Sequence, residues 1–443
     1  MRIAVIGTGY VGLVTGACFA DFGNDVIAVE LDPARLARLE AGEVPIYEPG
    51  LEVILRSNRE AGRYRFSQDL EQAVCDSDVV FVALRVDVGS DWIPVLDKVL
   101  EVADRIGKAL VSCPGDFKVI ATRATVPVGT TDRLAVRIGA HVSLAPGRAA
   151  AFAVVSNPSF LKEGNAVEDF TRPDSVLIGT GDARAAEIMR RLYSPLTRTR
   201  DVIFITDARS AELSKYATSA LLASRVSFMN DLAMLAEDLG ADIEVVRRVL
   251  GEDPRIGPKY LFVGPGFGGR LLHNDLRALL HAAREAGRDL AIVRATDEIN
   301  QRQKRVLSEK LERTLHGVEG KTVAVWGAAF KPMTADLGEA PALALIDRIL
   351  ALGGKVQAHD PHALENLRAH YGDRISYAST MYEAVTGAEA LVLVTEWHSY
   401  RRPDFPRLLR LMRTPVLIDG RNVWDPAELR ELGFRYHGLG RRG

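Results

Sequence analysis

Cysteine is scarce in this chain, with only Cys18, Cys75 and Cys113 among 443 residues. The three share no metal-ligand spacing and are too few for a disulfide framework, so no metal is expected and a reducing cytoplasm is the expected compartment. No run of about 18 apolar residues exists that could span a bilayer. The apolar N-terminus through Cys18-Phe19-Ala20 is interrupted by Gly7, Gly9, Gly12 and Gly16, which argues against a signal peptide. Charge of one sign is missing too: 56 Lys and Arg stand against 58 Asp and Glu, for a formal net charge of −2. Nothing is left over to neutralise a phosphate polymer or an anionic surface, so neither nucleic acid nor membrane is an expected partner. Lysine is rare, at 11 of the 56 basic residues. Each lysine in an apolar setting therefore carries weight.

What is present is a rhythm. A chain of this length fits about three domains of roughly 150 residues. Short apolar strands such as Ile3–Ile6, Val26–Val29, Val79–Val82 and Val119–Ala121 alternate with amphipathic stretches, the βαβ pattern of a parallel sheet covered by helices. Strand signals then vanish, and a helical period runs from Ala211 through Leu221 and Met229 to Leu235. The βαβ rhythm returns at Thr322–Val325, Val356–Ala358, Leu391–Val394 and Val416–Ile418. The expected fold is α/β, with two Rossmann-like, doubly wound parallel-sheet domains, 1–203 and 301–443, joined by a central helical region, 204–300.

The first strand runs into Gly7-Thr8-Gly9-Tyr10-Val11-Gly12 and then an apolar helix. Gly7 permits a tight turn, Gly9 lets backbone approach a pyrophosphate, and Gly12 allows close helix–sheet packing, while the helix N-terminus offers free N–H groups to the anion. Glu30 ends the second strand, where a carboxylate accepts from the adenosine ribose hydroxyls and repels a 2′-phosphate. The pattern favours NAD over NADP.

At this point the sequence resembles the UDP-glucose/GDP-mannose dehydrogenase family. The family's GxGYVG is Gly7 to Gly12, its PxYEPGL is Pro45 to Leu51, and its STVPVGT is Ala124 to Thr130. NPEFLxEG appears as Asn157 to Gly164, AELxKYxxN as Ala211 to Ser219, and GFGGSCxPKD as Gly266 to Asp275. The C-terminal part keeps Ala329-Phe330-Lys331, Asp360-Pro361, Thr395-Glu396-Trp397 and Asp419 to Asn422. The resemblance implies an N-terminal NAD domain, a central helix that builds a homodimer, and a C-terminal domain holding a UDP- or GDP-linked sugar. It places Lys215, Asp275, Thr125 and Glu163 around the reacting alcohol, with Lys215 and Asp275 handling the departing proton. Tyr10, Val11, Thr125 and Glu163 join the glycines and Glu30 on the cofactor side. On the substrate side it places Leu161, Lys162, Lys215, Ser219, Gly268, Leu271 and Phe330. Lys331 and Arg421 match diphosphate or sugar contacts, and Arg255 one that reaches across the dimer interface.

Typical members oxidise a primary C6 alcohol to a carboxylate with two NAD, through a cysteine thiohemiacetal and thioester. Here Leu271 stands at the cysteine, Asn274 at the following lysine, Ser159 at the glutamate of NPEF and Ser219 at the asparagine of the helix motif. An arginine that faces the ligand in the family is Gly338. Retention of the alcohol-oxidising groups without the sulfur leads to an expected reaction: one two-electron oxidation of a secondary alcohol to a ketone, on a sugar larger than a hexose. Such variants look like those of antibiotic pathways, for example the GDP-octose of the lincosamides. The alternatives are a redox-neutral epimerase that returns the hydride to the other face, and a non-catalytic binding homologue. His273, beside Asp275, is either a new proton carrier or a solvated loop histidine.

Overall fold

The computed structural model describes residues 1–89, 93–113, 115, 117–144, 150–197 and 200–441. In the N-terminal half the strands are β1 (Arg2–Ile6), β2 (Asp25–Val29), β3 (Tyr64–Ser67), β4 (Val79–Val82), a small hairpin β5 (Asp87–Val88) and β6 (Pro94–Val95), then β7 (Lys118–Thr122), β8 (Phe152–Ser156), β9 (Val176–Gly179) and β10 (Ile203–Thr206). The C-terminal half adds β11 (Thr322–Trp326), β12 (Lys355–His359), β13 (Ser376–Tyr377), β14 (Ala390–Leu393), β15 (Val416–Asp419) and β16 (Arg435–His437). The first sheet has the order β10-β9-β8-β7-β4-β1-β2-β3 and the second β13-β12-β11-β14-β15-β16. Within these two sheets the described pairs are parallel except β8 with β9, and the separate hairpin pairs β5 antiparallel with β6.

Two Rossmann-like sheets connected by a helical region are thus the architecture. Continuous apolar runs form inner strands such as β1, β4, β7, β11 and β14 because both faces are covered. Ile3 and Val5 feed one core of the first sheet, and Ala4 and Ile6, pointing the other way, feed a second. In each sheet the chain winds outward from a central strand in both directions, which opens a crevice at the carboxyl ends of β1 and β4 and likewise of β11 and β14. Short helices are started by aspartates: Asp32, Asp69, Asp182 and Asp242 each accept from a backbone N–H of the first turn.

The described residues fall into two compact units. One holds Met1–Thr218 with Arg277–Arg288, the other Ser219–Leu276 with Asp289–Gly443. The longest helix, Ala208–Leu239, carries exposed Leu221, Phe228, Leu235 and Leu239. Among the described residues no helix is long and apolar enough to cross a membrane.

The cysteines depart from expectation. Cys75, in the last turn of the helix Leu70–Asp76, and Cys113, just past the helix Asp97–Ser112, form a disulfide with their Cα atoms 5.5 Å apart. Two residues separated by 38 positions meet because parallel strands β4 and β7 are neighbours and both connections arrive at the same edge. Cys18 is free and buried on the inner side of the helix Tyr10–Asp21, where burial pushes its thiol up to about 12.

Candidate active site

The dinucleotide turn is built by contacts only glycine permits. Gly7 has φ +103°, and a Cβ on Gly12 would lie 1.9 Å from the Gly7 carbonyl oxygen. A Cβ on Gly9 would meet nothing within 4 Å, so the turn is open there, ahead of the helix Tyr10–Asp21. Glu30 is oriented over this turn. It accepts from the Thr8 hydroxyl and, at 2.9 Å, from the Asp32 N–H, while Arg35 Nε lies 3.4 Å away and Arg35 Nη2 donates to the Thr8 carbonyl at 2.7 Å. An open glycine cradle, a helix N-terminus and a fixed carboxylate fit a dinucleotide with a free ribose 2′-hydroxyl. Residues 7–12 and Glu30 would hold it, and when bound it supplies the hydride acceptor.

In the same unit, a small cleft is lined by Thr125, Ser156, Pro158, Glu212 and Lys215. Lys215 is half-buried, with its Nζ 5.4 Å from the centre of the Phe160 ring. One turn earlier, Glu212 is a residue that sequence reasoning passed over, although it lies in the motif Ala211 to Ser219. Its carboxylate is 2% exposed and accepts from Gly129 N at 2.6 Å, Thr131 N at 2.8 Å and Thr131 Oγ1 at 2.6 Å. It thereby fixes the loop after Thr125. Burial raises the Glu212 carboxyl above its ordinary range, and those hydrogen bonds oppose the rise. Arg123 was also missed. Buried at 6% exposure, it donates to the Asn157 carbonyl and side-chain oxygens at 3.3 and 3.2 Å and to the Pro158 carbonyl at 3.4 Å. The segments after β7 and β8 are held together through it. Ser159 accepts from the Leu161 N–H at 3.3 Å, and Lys162 is paired with Asp169 at 2.8 Å.

The second unit gathers a different set. Ser219 Oγ donates to Asp275 Oδ2 at 2.6 Å, and Asp275 is 3% exposed. Residues 270–275 form the first turns of the helix Arg270–Glu285, which carries Leu271. His273 is not a solvated loop histidine, because it is 1% exposed. Its Nε2 faces two donors, Asn300 Nδ2 and Lys304 Nζ, each at 3.2 Å, so Nε2 accepts and Nδ1 donates to the Gly269 carbonyl, also at 3.2 Å. Lys304 also pairs with Glu339 at 2.7 Å. Phe330 lies against the glycine loop, where a Cβ on Gly268 would come within 2.6 Å of Phe330 Cβ. Arg270 crosses the space over Gly338, where a Cβ would meet its Cγ at 2.5 Å. Lys331 sits beside Phe330, with Nζ 6.0 Å from the ring centre. Arg421 donates to the Val394 carbonyl at 2.7 Å and pairs with Glu396 at 3.0 Å. Arg255 is exposed and paired with Asp253 at 2.6 Å.

Asp360 follows β12 as Glu30 follows β2, and the turns correspond: Gly7 N donates to Val29 O at 3.0 Å, Gly327 N to His359 O at 2.9 Å. The carboxylates do not. Asp360 accepts five N–H groups, from Ala328, Ala329, Trp397 Nε1, His362 and Ala363, at 2.7 to 3.0 Å. Its oxygens are consumed by the protein itself.

An open dinucleotide cradle on one Rossmann unit, with a lysine-bearing cleft in the same unit, defines a dinucleotide-dependent oxidoreductase with a second Rossmann-like unit. Residues 1–197 match the NAD binding domain of the UDP-glucose/GDP-mannose dehydrogenase family, 209–302 its central domain and 324–426 its UDP binding domain. The chain belongs to the UDP-glucose/GDP-mannose dehydrogenase family. It is an NAD-dependent oxidoreductase acting on the CH–OH group of a nucleotide sugar. A UDP-glucose 6-dehydrogenase of Pseudomonas aeruginosa is 47% identical over 450 residues, covering 100% of this chain and 98% of that protein. Another, of Rhizobium meliloti, is 40% identical over 449 residues and 100% of both. The solved structure of a UDP-glucose dehydrogenase from Pyrobaculum islandicum aligns with TM-score 0.90 at 34% identity, covering 99% of this chain and 97% of that one.

This similarity overturns the reaction expected from Leu271, a single two-electron oxidation of a secondary alcohol to a ketone. A full-length match at 47% identity points to the chemistry of a UDP-glucose 6-dehydrogenase instead. One side chain alters one step, whereas the seats for cofactor and sugar nucleotide are built by whole loops and helices.

Proposed function

We propose that this chain oxidises position 6 of a UDP-linked hexose, UDP-glucose foremost, to the carboxylate with two NAD. The observation that carries this reading is the 47% identity to a UDP-glucose 6-dehydrogenase over the whole chain. Lys215 takes the proton of the C6 hydroxyl as hydride leaves, and Thr125 and Glu163, in the same unit, orient the alcohol and a water. Lys331 and Arg421 bind the diphosphate by charge-assisted hydrogen bonds. The domain division 1–203, 204–300 and 301–443 belongs to this proposal, supported by the ranges of the three family matches. So does a homodimer, supported by the exposed apolar stripe Leu221, Phe228 and Leu235 at seven-residue spacing on one helix.

Leu271 offers no nucleophile, Cys18 is buried, and Cys75 and Cys113 are bonded to each other. The second hydride therefore leaves from the hydrate of the C6 aldehyde. Water would add across the carbonyl, and the resulting geminal diol would give up a hydride, for which a second NAD would supply the acceptor, and protons to solvent, leaving the acid. The balance is RCH2OH, two NAD+ and water giving RCOO−, two NADH and three H+. The test is NADH formed per UDP-glucose consumed, with the product mass beside it, before and after iodoacetamide. Two NADH and a carboxylate, insensitive to iodoacetamide, support the proposal. One NADH with a product lighter by two hydrogens overturns it, and loss of activity on alkylation overturns the hydrate route.

A further inference from the structure

Glu48 is a carboxylate at 6% exposure that none of the steps above employs. It lies ahead of the helix Leu51–Glu60 and turns back into the first unit. Oε1 accepts the Ala166 N–H at 2.7 Å and the Val167 N–H at 3.4 Å. Oε2 accepts the Gly164 N–H at 2.6 Å and the hydroxyl of Tyr10. The Tyr10 oxygen in turn accepts the Gly164 N–H at 2.8 Å. Tyr10 is the first residue of the helix that opens on the dinucleotide turn.

These bonds bracket Glu163. On one side Lys162 N donates to Asp169 Oδ2 at 2.8 Å; on the other, Gly164, at φ +78°, is held by both Glu48 and Tyr10. Capping of the helix Ala166–Thr171 would require only the Ala166 and Val167 contacts. The bonds to Tyr10 and to Gly164 serve something else. A buried carboxylate is retained where several donors converge on it, and donors from two separate loops make it a tie between them.

We propose that Glu48 is a positioning residue that fixes Glu163 relative to the dinucleotide turn, through Tyr10 and the backbone of residues 164–167. The proposal rests on the placement of Glu163 beside the reacting alcohol under the proposed function. Tyr10 then links the two halves of the reaction, because it stands on the cofactor's helix and bonds the loop that carries Glu163.

The experiment is a double-mutant cycle in the full chain, with UDP-glucose and NAD as substrates. Glu48→Gln should lower kcat by roughly 10- to 100-fold, the scale of a misplaced reacting group, with KM for NAD within about twofold. Combined with Glu163→Gln it should cost no more than Glu163→Gln alone, since one route carries both effects. Tyr10→Phe removes a single hydroxyl and should lower kcat in the same direction, non-additively with Glu48→Gln; it carries the test if Glu48→Gln does not fold. Losses that multiply in the double variants overturn the proposal, as does full activity of Glu48→Gln beside an impaired Glu163→Gln. Full activity of Glu163→Gln would instead remove Glu163 from the proposed function, and this role of Glu48 with it.

Discussion

Lys215 shows how far a single residue can be read. It is one of few lysines in an arginine-rich chain and stands in an ordered motif, and the structure sets its ammonium beside Phe160 at the cleft of Thr125 and Glu212. Lys215→Ala should abolish NADH formation while NADH still binds, which fluorescence titration reads directly; turnover within a factor of two of the parent would remove Lys215 from the mechanism. The glycines of the dinucleotide turn were equally legible, because their reason is local steric demand. His273 was not. Its environment is made by Asn300, Lys304 and Gly269, and only the last is near it in the chain. Glu48 was legible as part of a motif, but its partners, more than a hundred residues away at Gly164 and Ala166, were not.

At the scale of elements, the strands buried on both faces announced themselves as apolar runs, and those are β1, β2, β4, β7, β11, β14 and β15. Edge strands were silent. β3 reads Tyr-Arg-Phe-Ser, and β13 is only Ser376–Tyr377, too short and too polar for a periodic signal. The long helix Ala208–Leu239 was legible by its period, and its exposed stripe gives the prediction that belongs here. Phe228, at 59% exposure, would be buried between two copies of the helix. Phe228→Glu should convert a dimer to a monomer by light scattering coupled to gel filtration; a parent chain that is already monomeric would refute the homodimer.

For the whole molecule, the two sheets follow from the βαβ rhythm, whereas their strand order and the Cys75–Cys113 bond follow from strand neighbourhood, which no local pattern reveals. Stability should also depend on pH. Burial holds His359 and His437 below the ordinary histidine value of 6.5. Below that value the unfolded chain binds protons that these folded sites refuse, so unfolding takes up protons and stability is lost as pH falls from about 6.5 toward the folded values. Tm should drop between pH 7.5 and pH 5.5, and less steeply in His359→Gln. An unchanged slope in that variant would show that other groups govern the acid limb.

The inward-turned carboxylate of Asp360 removes from the second Rossmann-like unit the contact that Glu30 offers in the first. With all five of its bonds spent on Ala328, Ala329, His362, Ala363 and Trp397, it has nothing to offer a ribose. Among the described residues, Glu30 is the carboxylate that stands over an open glycine turn, so calorimetric titration with NADH should saturate at one per chain. Under the proposed four-electron oxidation, two hydrides leave one carbon through a single docking place, and the spent cofactor has to be exchanged while the half-oxidised sugar stays bound. The retention time of that aldehyde, set against the time for cofactor exchange and the second hydride step, then decides how much leaks into solution.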